Sequence, residues 1–470
     1  MKIVIVGNGV AGMAAAMAAR EKDLQASITL VSEESDHMIS RTALMWVVSG
    51  QLSHQCIEPY ERDHYAQHGF ERVRARAVAI HAQPRRGSYR DDEGAPEGGE
   101  LELSDGKRLP FDRLLIACGS VPRKGPWPGS DLLGVGHFVT LQDLEWLEGE
   151  LHGGAGHGGP PPRADHHLKD GGASAYARRA LAREKRGGPP SHPVVIGGGL
   201  IGIEAVEVFH AAGLHPRFFI REEWFWPMAI DQVESTWISD RMREGGVHMH
   251  LGENVKTLTG ADALQKVKTD QGEYEADLCV IAIGVVPNTA WLRESSVELD
   301  ERGGIVVDEL QRTNLAGVYA AGDCASVLWF NDRRMPEQLW YTGRDQGRVA
   351  GINMTGGRES YARGTWYNSA KLFDIEYTTA GLVNMKQPDE REWFYEERGD
   401  VRSTTRIVLS GEKVIGFNLL GRRWDHEVLI RFIEEERDLS YVLDHLNEAN
   451  FDTEFVAPLD LARARAEAAA

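Results

Sequence analysis

Gly7, Gly9 and Gly12 follow a short β-branched run, Lys2–Val6, and lead into an alanine-rich stretch. That spacing lets backbone amides approach a pyrophosphate. The first glycine allows the turn, the second leaves room for a phosphate, and the third lets a helix pack on the strand. Val10 and Ala11 complete the loop. A second apolar run, Ile28–Val31, ends in Ser32, Glu33 and Glu34, where a carboxylate can accept the hydroxyls of an adenosine ribose. The pattern recurs at Gly197, Gly199 and Gly202, with Leu200 and Ile201 between them, behind the run Pro193–Ile196. Its second strand, Arg217–Ile220, is followed by Arg221, Glu222 and Glu223. Two such units predict two dinucleotides. Arg221 suits a 2′-phosphate, as in NADPH, and Glu222 suits a free 2′-hydroxyl, as in NADH. Both stay open, with NADH slightly favoured.

Other chemistry is poorly supplied. Cys56, Cys118, Cys279 and Cys324 are far apart and form no CxxC, so a sequence-adjacent redox pair and a zinc knuckle are excluded. Few cysteines suit a reducing compartment, and a cytoplasmic location is expected. His152, His157, His166, His167 and His192 fall in or near a glycine- and proline-rich stretch with no preformed geometry, so no metal is expected. Lys plus Arg total 52 against 71 Asp plus Glu, a net charge of −19 that argues against nucleic acid as a partner. No apolar run approaches the roughly 18 residues of a membrane span. Glycines interrupt the first apolar run, which argues against a signal peptide there.

The elements that must position these residues follow from the same patterns. Strand, glycine turn, helix, strand and acid make one βαβ unit near the start and another near residue 193. Residues 84–100 are turn-rich and predict a long hairpin loop between strands at 76–80 and 101–103. Residues 152–172 are low in complexity and predict a linker, with a basic helix over 174–186 after it. A hairpin is predicted around Ser410–Lys413, then one helical stretch over 427–446, then a frayed tail. At 470 residues the chain is long enough for roughly three domains.

Three further segments carry a resemblance. FDRLLIACGSVP (111–122) holds Ala117, Cys118 and Gly119; ADLCVIAIGVVPN (276–288) holds Gly284; GVYAAGDCA (317–325) holds Gly322 and Asp323. In order and spacing, these and the two glycine loops resemble the pyridine nucleotide–disulfide reductase superfamily over residues 1 to about 360. The stretch 28–45 resembles its ferredoxin-reductase, apoptosis-inducing-factor and nitrite-reductase-like branch. The resemblance implies a glutathione-reductase-like α/β fold with two Rossmann-type domains and a C-terminal α+β interface domain. An FAD domain would use 1–120 and 290–365, an NAD(P) domain 121–289 with the 152–172 insertion, and an interface domain 366–470.

The resemblance also implies roles. Glu33 and Glu34 would hold the FAD ribose, Arg41 the phosphates or flavin edge, Val78 the adenine through its backbone, and Asp323 the ribityl chain. Gln338 and Trp340 would flank the flavin, with core packing the alternative for Trp340. Glu204 would contact the nicotinamide ribose or amide, or else be a solvated helix residue. Trp46 stands where many ferredoxin-reductase relatives carry a lysine near flavin N5. Leu44 stands where the coenzyme A-disulfide-reductase and NADH-oxidase branch carries its redox cysteine. Cys118 and Cys324 fit as buried small residues. The implied activity is an FAD-dependent oxidoreductase: hydride from NAD(P)H to flavin, then electrons to a small redox protein, quinone or other small molecule. No catalytic side chain is named. The alternatives are an NADH oxidase or coenzyme A-disulfide-reductase-like enzyme, and a flavin-bound redox-sensing or interaction protein. A homodimer is expected from the C-terminal domain.

Overall fold

Val4, Ile5 and Val6 have no solvent to face, and they sit mid-sheet rather than at an edge. In the computed structural model the strand Lys2–Val6 pairs in parallel with Ser27–Ser32 on one side and Arg113–Ile116 on the other. Phe70–Arg74 and Val318–Ala320 extend the sheet to five parallel strands. A sheet covered on both faces needs near-continuous apolar strands, as these are. The structure describes residues 1–84, 98–152, 186–329, 333–398 and 402–468.

Described residues divide into two units. The first takes 1–124, 137–152 and 284–363; the second takes 125–136, 186–283 and 364–468. Besides its parallel sheet, the first unit holds an antiparallel sheet of Ala77–Ala82, Gly99–Leu103 and Arg108–Phe111. The expected loop between the first two of these strands falls mostly outside the described residues. A two-stranded antiparallel ribbon, Ser120–Pro122 with Val285–Pro287, joins the point where the chain leaves this unit to the point where it returns.

Helix Val10–Lys22 packs against helix Trp340–Met354 at very short range. A Cβ on Gly347 would strike the carbonyl oxygen of Ala11, and one on Gly351 that of Ala15. With Gly343 these make a glycine row at intervals of four facing Ala11 and Ala15, so the backbones themselves touch.

In the second unit a parallel sheet repeats the first. Pro193–Ile196 is flanked by Arg217–Ile220 and Leu278–Ile281, with His248–Leu251 and Val135–Gly136 at the edges. The same unit contains a five-stranded antiparallel sheet, ordered Tyr367–Leu372, Ile375–Gly381, Lys413–Leu420, Arg402–Ser410, Glu390–Arg398. Arg406 of this sheet is fully buried. Its guanidinium lies 3.2 Å from Glu234, which is also fully buried, 3.2 Å from Glu392, and donates to the Ala229 carbonyl. Glu234 in turn closes a capping box with Asp231 at the start of helix Gln232–Glu244. The cation thus anchors the antiparallel sheet to that helix.

Two sequence expectations are corrected here. The stretch 427–446 is not one helix but two, His426–Glu434 and Leu439–His445. The break is local: Glu436 takes φ +54, and Asp438 caps the second helix by accepting from the Tyr441 amide at 2.8 Å. The tail is not frayed over 461–468, where a helix seats Ala464 in the core. The predicted basic helix 174–186 and almost all of the 152–172 stretch lie outside the described residues.

Candidate functional site

Each glycine loop does the same thing in the same place. Gly7 has φ +113 and Gly197 φ +119, values that disfavour a side chain. A Cβ on Gly7 would strike the carbonyl oxygen of Ala117, and one on Gly197 that of Ala282, in each case just past the neighbouring parallel strand. Gly12 and Gly202 pack on the carbonyls of Gly7 and Gly197. Only the middle glycines, Gly9 and Gly199, face open space within 4 Å of such a Cβ. Both are helix N-caps without a capping side chain. The first amides of helices Val10–Lys22 and Leu200–Ala211, beginning with Val10 and Ala11 or Leu200 and Ile201, are therefore available to an anion that reaches the gap. That geometry fits the pyrophosphate of a dinucleotide, twice. Asn8, inside the first loop, is buried and accepts from the Tyr65 hydroxyl at 3.0 Å, while that hydroxyl accepts from the Met38 amide at 2.7 Å. Tyr65 thereby fixes the loop; an isolated Tyr 57 positions away gave no signal of this.

Backbone register aligns the acids. The Gly7 amide donates to Val31 and the Gly197 amide to Phe219, so Glu33 corresponds to Arg221 and Glu34 to Glu222. Glu33 is exposed at the strand end. Glu34 is already engaged: it accepts from Arg41 at 2.6 Å and from the Leu141 amide at 3.0 Å. Arg41 also donates to the Ser120 carbonyl at 3.1 Å and lies close to Gly119. In the second unit, Arg221 pairs with Glu222 at 2.7 Å.

Val78 is the extra residue of a β-bulge between Ala77 and Ala79 and opposes no residue of the partner strand. Ala117 is buried, and its amide donates to Val6 at 2.7 Å. The Cys118 thiol donates to the Asn288 carbonyl at 3.2 Å, and the Cys324 thiol to that of Ile116 at 3.3 Å. Hydrogen bonding with the Cys324 thiol, and burial after it, push the Cys118 thiol well up, against reactivity. Gly322, at φ +77, sits 2.9 Å by its would-be Cβ from Ala11. Its amide donates to the buried Gln346 at 2.8 Å, a residue that sequence reasoning missed. Asp323 accepts from the Ser120 hydroxyl at 2.6 Å; burial raises its carboxyl, while Ser120 and Arg41 hold it down. Asp323, Ser120, Arg41 and Glu34 thus form one polar chain beside the first glycine loop's helix.

Trp46 is half-buried on the short helix Leu44–Val48, and Leu44 is buried. Trp340 opens helix Trp340–Met354 and packs on the core shared with Ala11 and Ala350, while Gln338 is exposed. Gly284, at φ +96, accepts from the Arg123 amide at 3.0 Å. On helix Leu200–Ala211, burial lifts the Glu204 carboxyl to about 7 and that of Glu207 to about 8. Glu207 accepts from the Phe373 amide at 2.8 Å. Exposed Cys56 sits on the turn His54–Ile57, its thiol lowered by the Ser53 hydroxyl. Among the described residues no group of His, Cys, Asp and Glu could hold a metal, and no helix is long and apolar enough to cross a membrane.

Comparison with known proteins places this arrangement. The family model described as pyridine nucleotide-disulphide oxidoreductase matches residues 1–347. An NAD(P)H sulfur oxidoreductase (CoA-dependent) of Pyrococcus abyssi is 29% identical over 81% of this chain and 75% of its own. The epsilon subunit of an NADH-dependent phenylglyoxylate dehydrogenase of Aromatoleum evansii is 26% identical over 93% of both chains. Among solved structures, an NAD-dependent persulfide reductase from A. fulgidus shares the fold at a TM-score of 0.78 and 21% identity, over 99% of this chain and 83% of that one.

Proposed function

The chain belongs to the pyridine nucleotide-disulphide oxidoreductase family, and from that premise we propose that it is a reductase whose electrons reach their acceptor without a redox cysteine beside the flavin. It is an FAD-dependent NAD(P)H oxidoreductase. When bound, the flavin takes a hydride equivalent from the nicotinamide and releases electrons to a second acceptor. The observation that carries the reading is Leu44. It is buried on its short helix, and the family resemblance sets the redox cysteine of the thiol-dependent branch at this position. Cys56 is 12 residues further on and exposed, and Cys118 and Cys324 are spent on backbone carbonyls.

In this reading the chain's residues bind and orient. The amides beyond Gly9 hold the FAD pyrophosphate and those beyond Gly199 that of the nicotinamide nucleotide. Glu33, exposed at its strand end, takes the FAD ribose. Glu34 acts through Arg41, holding it against the Ser120 carbonyl. The bulge at Val78 frees a backbone position for adenine, and Asp323 takes the ribityl chain. Glu204 faces the nicotinamide end. Its raised carboxyl supports a hydrogen-bond donor there near neutral pH. NADH is the preferred coenzyme, because Glu222 neutralises Arg221 and would repel a 2′-phosphate. Low cysteine content supports a cytoplasmic location. Exposed Phe451 and Phe455 support a homodimer through the C-terminal segment.

The test is an anaerobic titration of the purified flavoprotein with NADH and NADPH, followed by its absorbance. NADH is expected to bleach the flavin at lower concentration than NADPH. Glu222→Gln should narrow that difference roughly tenfold, an estimate from one charge–charge contact at partial exposure. Cys56→Ser should leave reduction and reoxidation unchanged; loss of reoxidation would restore the coenzyme A-disulfide-reductase-like reading. Slow reoxidation by every acceptor, with a change of size on reduction, would favour the sensor.

A further inference from the structure

We propose that a pocket in the first unit, behind the ribbon Ser120–Pro122 and Val285–Pro287, is a binding site for a small organic monoanion with a planar apolar body. The inference goes beyond the flavin reaction, and one lining residue, Gln338, is the one the family resemblance sets beside the flavin. The pocket encloses about 480 Å³, within the range of small-molecule sites. Its floor is apolar: Val285, Val286 and Pro287 from the ribbon, with Met335 and Pro336 opposite. Its rim is charged. Arg123 follows the ribbon's first strand, and Arg302 and Glu301 lie on the loop before Ile305–Val306.

Three observations make this a built site rather than a surface dip. The ribbon fixes three floor residues by antiparallel pairing, and the Arg123 amide continues it by donating to Gly284 at 3.0 Å. The rim loop is closed on itself: Asp300 accepts from the amides of Arg302 and Gly304, each at 2.8 Å, and donates its own amide to the Gly304 carbonyl at 2.8 Å. That loop also lies flat on the floor, since a Cβ on Gly304 would come within 2.6 Å of Pro336. The walls are therefore in place before any ligand arrives, which lowers the ordering cost of binding.

Charge selects the ligand. Among the described residues neither the Arg123 nor the Arg302 guanidinium forms an ion pair, although most arginines of this acidic chain do. Two guanidiniums stand beside the Glu301 carboxylate on the rim, while the Asp300 carboxylate is taken up by the Arg302 and Gly304 amides of its own loop. A carboxylate or sulfonate can meet both forks, while a dianion would be opposed by Glu301. The valines, prolines and Met335 of the lining then offer contact to an aromatic face. Exposed Gln338 closes the remaining side with a neutral amide.

The probes are 2-naphthoate and its uncharged isostere 2-naphthamide, each titrated calorimetrically into the oxidised holoprotein. Naphthoate is expected to bind about tenfold more tightly than naphthamide, a ratio set by charge-assisted hydrogen bonds at a half-open rim. In Arg123→Gln/Arg302→Gln the two affinities should converge, with the flavin spectrum unchanged. Gly304→Val should weaken both ligands together, because it lifts the loop from the floor. Equal binding of the two probes to the native protein overturns the proposal, as does no binding of either at millimolar concentration. So does a naphthoate preference that survives the double variant, or displacement of naphthoate by NAD⁺, which would assign the pocket to the nucleotide.

Discussion

Gly9 and Gly7 differ by two positions and by the whole nature of what a side chain would do there. At Gly7 a methyl group meets the Ala117 carbonyl, so Gly7→Ala attacks the fold. At Gly9 a side chain meets nothing of the protein, so it fills the gap in which the proposed reading seats a phosphate. Gly9→Val is therefore expected to leave the melting temperature of the flavin-free protein within a few degrees, since isolated surface changes stay within about 0.5 kcal/mol. Flavin retained through purification should fall at least tenfold. The melting curve and the 450 nm absorbance of one sample check both halves. At this scale much was legible. Glycine spacing pointed to both cradles, because phosphate contact demands backbone access at fixed intervals. What was not legible was engagement: nothing in the order Glu33, Glu34 says that the second acid is taken by Arg41 and the Leu141 amide. The same holds for Ser120 and Gln346, which gain their meaning only from partners 203 and 24 positions away.

Helix Leu200–Ala211 shows how an element can carry a property none of its residues has alone. It holds Glu204 and Glu207, one turn apart, half-buried beside its apolar residues, and desolvation raises both carboxyls. The folded chain then binds more protons than the unfolded chain between about pH 4.5 and 8, so stability falls as pH rises through that window. Stability is fully present below the unfolded carboxyl value and is lost on passing about 7 and then about 8. Glu207→Gln is expected to flatten this slope, and to gain on the order of 1–2 kcal/mol at pH 8.5 relative to pH 5. Urea unfolding of both proteins across pH 5–9 decides it; parallel slopes would refute the assignment. Periodicity revealed this helix and its amphipathic partners. It could not reveal the break at Glu435–Asp438, because apolar residues three to four apart continue across it while Asp438 caps a new start. Nor did the glycine row of Trp340–Met354 stand out. Glycines in a helix read as weakness until the facing alanines are known.

At the scale of the molecule, the second unit joins a parallel and an antiparallel sheet through a buried ion pair rather than through apolar packing alone. Arg406→Met leaves Glu234 buried without its cation, and such losses cost about 3–5 kcal/mol. Arg406→Met/Glu234→Gln is expected to recover a large part of that loss, since the uncompensated charge is then gone. Guanidinium unfolding of the native protein, Arg406→Met, Glu234→Gln and the double variant, read as a double-mutant cycle, measures the coupling; additive effects would mean the pair is not a unit. The domain order was readable because five motifs recur in sequence. The grouping of the C-terminal sheet with the 186–283 segment was not, as it rests on scattered contacts such as Glu207–Phe373, Arg241–Asp374 and Arg406–Glu234 rather than on any motif.

One feature of the first sheet bears on how the chain is made. Its edge strand Val318–Ala320 pairs with Arg113–Ile116, and Asp323 and Gly322 follow directly. A ribosome delivers the glycine loop of residues 7–12 first and these partners some three hundred residues later. In the interval Arg113–Ile116 lacks its neighbour on that side, and the first glycine loop lacks Asp323 and the helix that closes on Ala11. The second glycine loop, with both strands of its neighbourhood between residues 193 and 281, is complete long before the first. The surroundings of the second glycine loop are thus synthesised ahead of those of the first.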